Sequence, residues 1–160
     1  MKAININGKI SIMEKMIAEE WIEIDAPVPL IWELLTDPDK IKQWSSVKVD
    51  FNNDDILALG SEFDWKDGKG QSYAKGTVIE FEPEKYIRTS VHFNNWETQA
   101  DPDALIDIYS IFQKNGKIIL THTYGDFASV PDGQSLYKAY LQTVTPENKE
   151  LQKIKEMAEE

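Results

Sequence analysis

Residues 22–44 constrain the fold of this 160-residue chain more than any other stretch. Ile22 and Ile24 alternate with acidic residues, which predicts a half-buried strand. Pro27 then suits the first turn of a helix, where a backbone N–H group needs no partner. Because the apolar residues of segment 30–35 fall on one helical face, this helix is predicted to be amphipathic.

A second short helix is predicted directly after the first. Asp37 offers an N-cap and Pro38 suits a first helical position, so one helix ends here and another begins. Ile41 and Trp44 are spaced for one face of that second helix. The predicted order of this segment is therefore strand, helix, helix.

The middle of the chain is predicted to be an antiparallel β meander. Apolar and polar residues alternate in runs that are separated by turn signals, as is typical of strands joined by hairpins. Asn115-Gly116 is the strongest of these signals, and Asn7-Gly8 predicts a further hairpin at residues 2–13. The strands of the meander are predicted at residues 47–51, 63–66, 72–82, 86–94, 105–113 and 117–124.

The C-terminal part is predicted to be helical. Leu136 and Tyr140 share one helical face, and Thr145-Pro146-Glu147 has the features of a new helix start. A break is therefore expected near Thr145. In the last helix, over residues 146–158, an apolar stripe of Leu151, Ile154 and Met157 should face inward.

These segments resemble the SRPBCC superfamily, the START-like proteins that include the birch-pollen allergen. Within it they are similar to the family named after an activator of the heat-shock-ninety ATPase. Residues 76–83 resemble its fourth-strand pattern, in which a proline closes the strand, and Leu120-Thr121-His122 resembles its last strand. Residues 22–44 are the most specific part of a resemblance that covers roughly residues 18–158.

The resemblance implies an α+β helix-grip fold. Such a fold has a curved antiparallel β-sheet of six or more strands, two short N-terminal helices, and a C-terminal helix across the concave face. We expect residues 1–160 to form a single START-like domain that encloses a cavity. The family name further implies a role in the stress response.

Charge and composition exclude several classes of function. A net charge of −11 disfavours nucleic acids and anionic membrane surfaces as partners, because both attract basic patches. Without cysteine there can be no disulfide and no thiolate metal site, and the acidic run at 50–61 fails the calcium-loop pattern. No signal peptide or membrane-spanning stretch is evident, so we expect a cytoplasmic protein. We also expect that it holds no metal and no cofactor.

Aromatic and histidine side chains are the strongest candidates for a binding site. Ligand pockets are mostly apolar and aromatic, with a few polar groups that orient the ligand. Tyr109 and His122 are expected to be neighbours, because a predicted turn joins their strands. For any single aromatic, packing in the core is the more common role. The candidate ligand-binding residues are Trp65, Tyr73, His92, Trp96, Tyr109, His122, Tyr124 and Phe127.

Three functions fit this sequence. The favoured one is binding of a small hydrophobic or aromatic molecule in the cavity, by a monomer or a homodimer. An enzyme of cyclase, hydratase or hydrolase type would need His92, His122 and a carboxylate to converge, and no catalytic motif accompanies the two histidines, so no catalytic residue is assigned. A chaperone-related module that binds a partner protein would instead show a large exposed apolar patch.

Overall fold

The computed structural model describes residues 2–4, 10–12, 15–96, 101, 103–144 and 149–160. Nine strands and four α-helices lie within these ranges. In chain order they are β1 (Lys2–Ile4), β2 (Ile10–Ile12), β3 (Ala18–Ile24), α1 (Val28–Thr36), α2 (Pro38–Trp44), β4 (Lys48–Phe51), β5 (Glu62–Lys66), β6 (Ser72–Glu82), β7 (Tyr86–Phe93), β8 (Ile106–Lys114), β9 (Lys117–Gly125), α3 (Gly133–Thr143) and α4 (Glu150–Glu159).

Seven strands form one curved antiparallel sheet in the order β3-β9-β8-β7-β6-β5-β4. Strands β4 to β9 form the predicted meander, and β3 joins it by pairing with β9. Because β3 and β4 lie at opposite edges, the connection through α1 and α2 must cross the sheet. This arrangement confirms the predicted α+β helix-grip architecture.

Strands β1 and β2 pair antiparallel as a separate two-stranded sheet, while the predicted turn at Asn7-Gly8 falls outside the described residues. None of the described helices is long and apolar enough to span a lipid bilayer.

The N-terminal helices form as their sequence predicts. Pro27 precedes α1, and the Asp37 side chain caps α2 by accepting a hydrogen bond from the backbone N–H of Asp39 at 3.0 Å. The indole Nε1 of Trp44 donates to the carbonyl oxygen of Leu34 at 2.7 Å. This buried bond fixes the angle between the two helices and holds the Trp44 ring against the sheet.

Helix α4 packs on β3, α1 and α2 and closes one end of the concave face. Leu151 and Ile154 are buried among apolar side chains of those elements, and Met157 is partly buried beside them. The inward orientation of the predicted stripe is therefore confirmed for its first two members. The predicted helix break at Thr145 falls in residues 145–148, which lie outside the described part of the chain.

Helix α3 covers the other end of the concave face. Its Leu136, Tyr137 and Tyr140 pack against Phe127, which lies in a 3₁₀ turn that follows β9. The Asp126 carboxylate holds this turn in place, because it accepts hydrogen bonds from the backbone N–H groups of Met16 and Ala128, both at 2.9 Å. Only Gly133 of α3 is fully buried, so the helix is a thin cover.

A third apolar cluster lies on β4 to β7, at the wall opposite α4. Gly76 of β6 makes this wall possible. A Cβ atom built at Gly76 would lie 2.6 Å from Cε2 of Phe63 and 2.9 Å from Cη2 of Trp65, closer than van der Waals contact allows. The absence of a side chain lets both aromatic rings lie directly over β6.

Replacing Ile154 by Ala tests the docking of α4. Ile154 is 0% exposed, so the substitution should lower the free energy of unfolding by about 2–5 kcal/mol through lost burial and a residual cavity. Chemical denaturation measures this loss. Glu156→Ala, at an exposed position of the same helix, is the control and should change stability by less than about 0.5 kcal/mol. Equal small effects at both positions would contradict the observed packing.

Candidate functional site

A cavity of about 300 Å³ lies between the concave face of the sheet, the end of α2, helix α3 and the start of α4. The three apolar clusters of the fold surround it. Its wall is largely aromatic, and its polar side chains lie mainly where β3, β9 and β8 meet α3 and α4. The aromatic wall residues are Trp44, Phe51, Phe63, Trp65, Tyr73, Phe93, Tyr109, Tyr124, Phe127 and Tyr140.

The cavity brings together most of the candidate residues predicted from the sequence. It is lined by Trp65, Tyr73, Tyr109, His122, Tyr124 and Phe127. Tyr109 and His122 are direct partners in the β8–β9 ladder, and their rings stack with centroids 4.3 Å apart. Their predicted proximity is thus confirmed, while the part that each candidate plays in binding remains a prediction.

His92 and Trp96 lie apart from the cavity lining. The His92 ring contacts the Trp96 ring edge-on at 5.0 Å, on a strand whose cavity-facing residues have the opposite parity. Trp96 is buried with Leu105 and Phe127, and its Nε1 has no hydrogen-bond partner within the described part of the chain. The two histidines therefore do not converge on one pocket.

His122 is the centre of the polar part of the cavity. Its Nε2 lies 3.1 Å from Oδ2 of Asp107, and its Nδ1 lies 3.5 Å from the hydroxyl oxygen of Tyr140 on α3. A protonated imidazole donates from both nitrogens. A neutral one with hydrogen on Nε2 donates to Asp107 and accepts at Nδ1. Both protonation states are thus accommodated without movement of the ring.

Opposing effects act on the pKa of His122. Burial lowers it, because the charged imidazolium loses its hydration. The charge and hydrogen bond of Asp107, assisted by the charges of Glu150 and Glu20, outweigh this loss. The net result is a pKa raised above the ordinary value of 6.5. The site therefore stabilises positive charge.

Glu150, the first residue of α4, also lines the cavity. Its Oε2 accepts hydrogen bonds from the backbone N–H of Ser46 at 2.8 Å and from the Ser46 hydroxyl at 3.1 Å. Burial nevertheless raises the pKa of the Glu150 carboxyl above 4.5, although these bonds and the charge of His122 oppose the shift. This carboxyl connects the start of α4 to the end of α2 beside the cavity.

Sequence reasoning missed the carboxyl groups of the site. Glu20 shares the parity of Ile22 on β3, and Asp107 shares the parity of Tyr109 on β8, so alternation alone could have placed both on the inner face. Glu150 and Tyr140 reach the cavity through the packing of α4 and α3. The sequence placed Tyr140 on an apolar helical face but carried no signal for what that face packs against.

The polar groups that are open to the cavity volume are tyrosine hydroxyls rather than the imidazole of His122. Both nitrogens of His122 face protein groups rather than the open volume. The hydroxyls of Tyr109 and Tyr124 have no hydrogen-bond partner among the described residues and are free to bond a guest. Across the same residues, no group of three histidine, aspartate or glutamate side chains could hold a metal ion.

Comparisons with known proteins agree with this architecture. A sequence model of the family described as "Activator of Hsp90 ATPase homolog 1-like protein" matches residues 25–157. No curated protein matches the chain significantly in sequence.

Solved structures with the same fold come from several organisms. An Aha1 dimer from Colwellia psychrerythraea is 16% identical, with a TM-score of 0.63 over 89% of this chain and 96% of that one. A structural-genomics protein from Mesorhizobium loti is 19% identical, with a TM-score of 0.65 over 88% and 95%. An Hsp90 activator from Plasmodium falciparum is 18% identical, with a TM-score of 0.51 over 69% and 73%.

Replacing Asp107 by Asn should lower the pKa of His122, because the negative charge that offsets the effect of burial is then removed. NMR titration of the imidazole should show a midpoint above 6.5 in the wild type and a lower one in the variant. Asp103→Asn, at an exposed position, is the control and should leave the midpoint unchanged. A wild-type midpoint at or below 6.5 would contradict this account of the site.

The same shift determines how stability depends on pH. Because the pKa of folded His122 lies above its unfolded value of 6.5, its stabilising contribution is complete below that value. The contribution is lost as the pH rises through the folded pKa. Between about pH 6 and about pH 9 the wild type should therefore lose more unfolding free energy than Asp107→Asn, as measured by denaturant titration.

Proposed function

Given that the chain belongs to the family of Activator of Hsp90 ATPase homolog 1-like proteins, we propose that it binds a small apolar or aromatic molecule in its internal cavity. The observation that supports this most strongly is the aromatic cavity of about 300 Å³. Its volume lies at the lower end of the range of volumes found for small-molecule binding sites. A core packed only for stability leaves few voids larger than a water molecule.

The distribution of polar groups supports the same function. Tyr109, Tyr124 and His122 occupy neighbouring strands, while Trp65 and Phe51 lie on the opposite wall. An aromatic guest between these walls would contact rings on one side and hydrogen-bonding groups on the other. Few polar groups in a mostly apolar pocket are the usual means of orienting a ligand.

Native mass spectrometry of freshly purified protein, followed by thermal-shift titration, tests this function. A panel of fatty acids, flavonoids, aromatic polyketides and aromatic amines should contain compounds that raise the melting temperature, since a ligand of the folded state stabilises it by mass action. Failure of every compound, together with no co-purified molecule, would contradict the proposal.

A variant that fills the cavity localises the binding. Ala139 of α3 lines the cavity, so Ala139→Phe should occupy it and abolish the thermal shift while the helix still forms. Gln134→Phe, at an exposed position of the same helix that does not line the cavity, is the matched control and should bind like the wild type. Unchanged binding by Ala139→Phe would place the ligand elsewhere.

Recognition of a partner protein is a second candidate function, and exposed apolar residues on the convex face favour it. Trp21 of β3 and Phe112 of β8 are 67% and 55% exposed, and Ile119 of β9 lies between their strands on the same face. The solved Plasmodium falciparum protein is an Hsp90 activator. If this chain acts similarly, it should stimulate the ATPase of Hsp90, and the double variant Trp21→Gln/Phe112→Gln should not.

A further inference from the structure

The charged side chains that line the cavity are nearly all acidic. Glu20, Asp107 and Glu150 contribute three carboxyl groups, and His122 is the sole basic side chain in the lining formed by the described residues. Lysine and arginine are absent from that lining. His122 is already paired with Asp107 at 3.1 Å, and neither Glu20 nor Glu150 forms an ion pair with a described residue.

Glu20 is the carboxylate left most available to a ligand. It lies directly opposite His122 in the β3–β9 ladder and points to the cavity from the same side as Ile22 and Ile24. Its side chain makes no hydrogen bond or ion pair with another described residue. Glu150, in contrast, receives two hydrogen bonds from Ser46, but both donors are neutral.

The surrounding groups respond to both of these charges. Burial raises the pKa of the Tyr109 hydroxyl well above its ordinary value, and the negative charges of Glu150 and Glu20 raise it further. Both charges also raise the pKa of His122. The electrostatic potential inside the cavity therefore favours a bound proton or any other positive charge.

The aromatic wall next to these carboxyl groups suits a cation as well. Trp44, Trp65 and Tyr73 line the same cavity as Glu20 and Glu150. Ring faces carry partial negative charge and attract ammonium groups, most strongly where water is excluded. An anionic ligand would add a further negative charge to this enclosure, and a neutral one would leave both carboxyl groups unpaired.

We propose that the cavity selects an apolar or aromatic ligand that carries a basic amine, whose ammonium group is held by Glu20 and Glu150. This inference rests on the proposed binding function and specifies its ligand class. The ammonium group has three N–H donors. Three donors are enough to serve two carboxylates and a tyrosine hydroxyl, and Trp44 and Trp65 in the same lining offer a surface for the apolar body.

Three probes that share one aromatic body test this class of ligand. Isothermal titration calorimetry would compare 2-(1-naphthyl)ethylamine, 2-(1-naphthyl)ethanol and 1-naphthylacetate at neutral pH. The amine should bind about tenfold more tightly than the alcohol, as expected for hydrogen bonds to charged partners, and the acetate should bind most weakly. Equal or tighter binding of the alcohol would overturn the amine assignment while leaving the cavity-binding function intact. Binding of none of the probes would count against both.

Charge-removing variants assign the selectivity to particular residues. Glu20→Gln should reduce the amine's affinity several-fold and leave the alcohol's unchanged, because it removes charge at nearly constant volume. Glu19→Gln, one residue earlier on the exposed face of β3, is the matched control and should retain the wild-type preference. Glu150→Gln, which can still accept from Ser46, should lower the preference independently. A preference that survives both Glu20→Gln and Glu150→Gln would overturn the proposed role of these residues.

Discussion

Strand β3 pairs with β9 along its whole length, from Ala18 opposite Tyr124 to Ile24 opposite Ile118. This register places Glu20 opposite His122, and through β8 it also brings Tyr109 into the same row. A slip of one residue would turn Glu20 and Ile24 outward and bury Glu19 and Glu23 in their place. The pairing also places β3 at the far edge from β4, which requires α1 and α2 to cross the concave face and enclose the cavity.

Much of the fold could be predicted because its signals are local. Alternation along β7 and the Asn115-Gly116 turn specify strands and their neighbours from local sequence, and Asp37-Pro38 specifies a helix boundary. The burial of Ile154 likewise follows from helical spacing. These features depend on interactions within a few residues of each other, which a single sequence displays directly.

The candidate site was less predictable because its composition depends on distant packing. Glu150 reaches Ser46 across 104 positions in the chain, and Tyr140 reaches His122 from a separate helix. His92 looked equivalent to His122 in the sequence, since both lie in strands. Only the structure shows that His92 lies on the opposite face of β7 from Thr89 and Phe93, which line the cavity. The alternation along β8 places Asp107 on the same face as Tyr109. An acidic residue at that position nevertheless does not indicate a cavity wall, because buried strand faces are usually apolar.

Gly76 gives the wall of the cavity a property that no other position on β6 shares. Because hydrogen is its only side chain, the rings of Phe63 and Trp65 can rest against the backbone of the strand. Any larger residue would displace those rings toward the open volume. The volume of the cavity thus depends on a backbone position that does not itself line it. A single change there would reduce the volume of the cavity without altering any of its polar side chains.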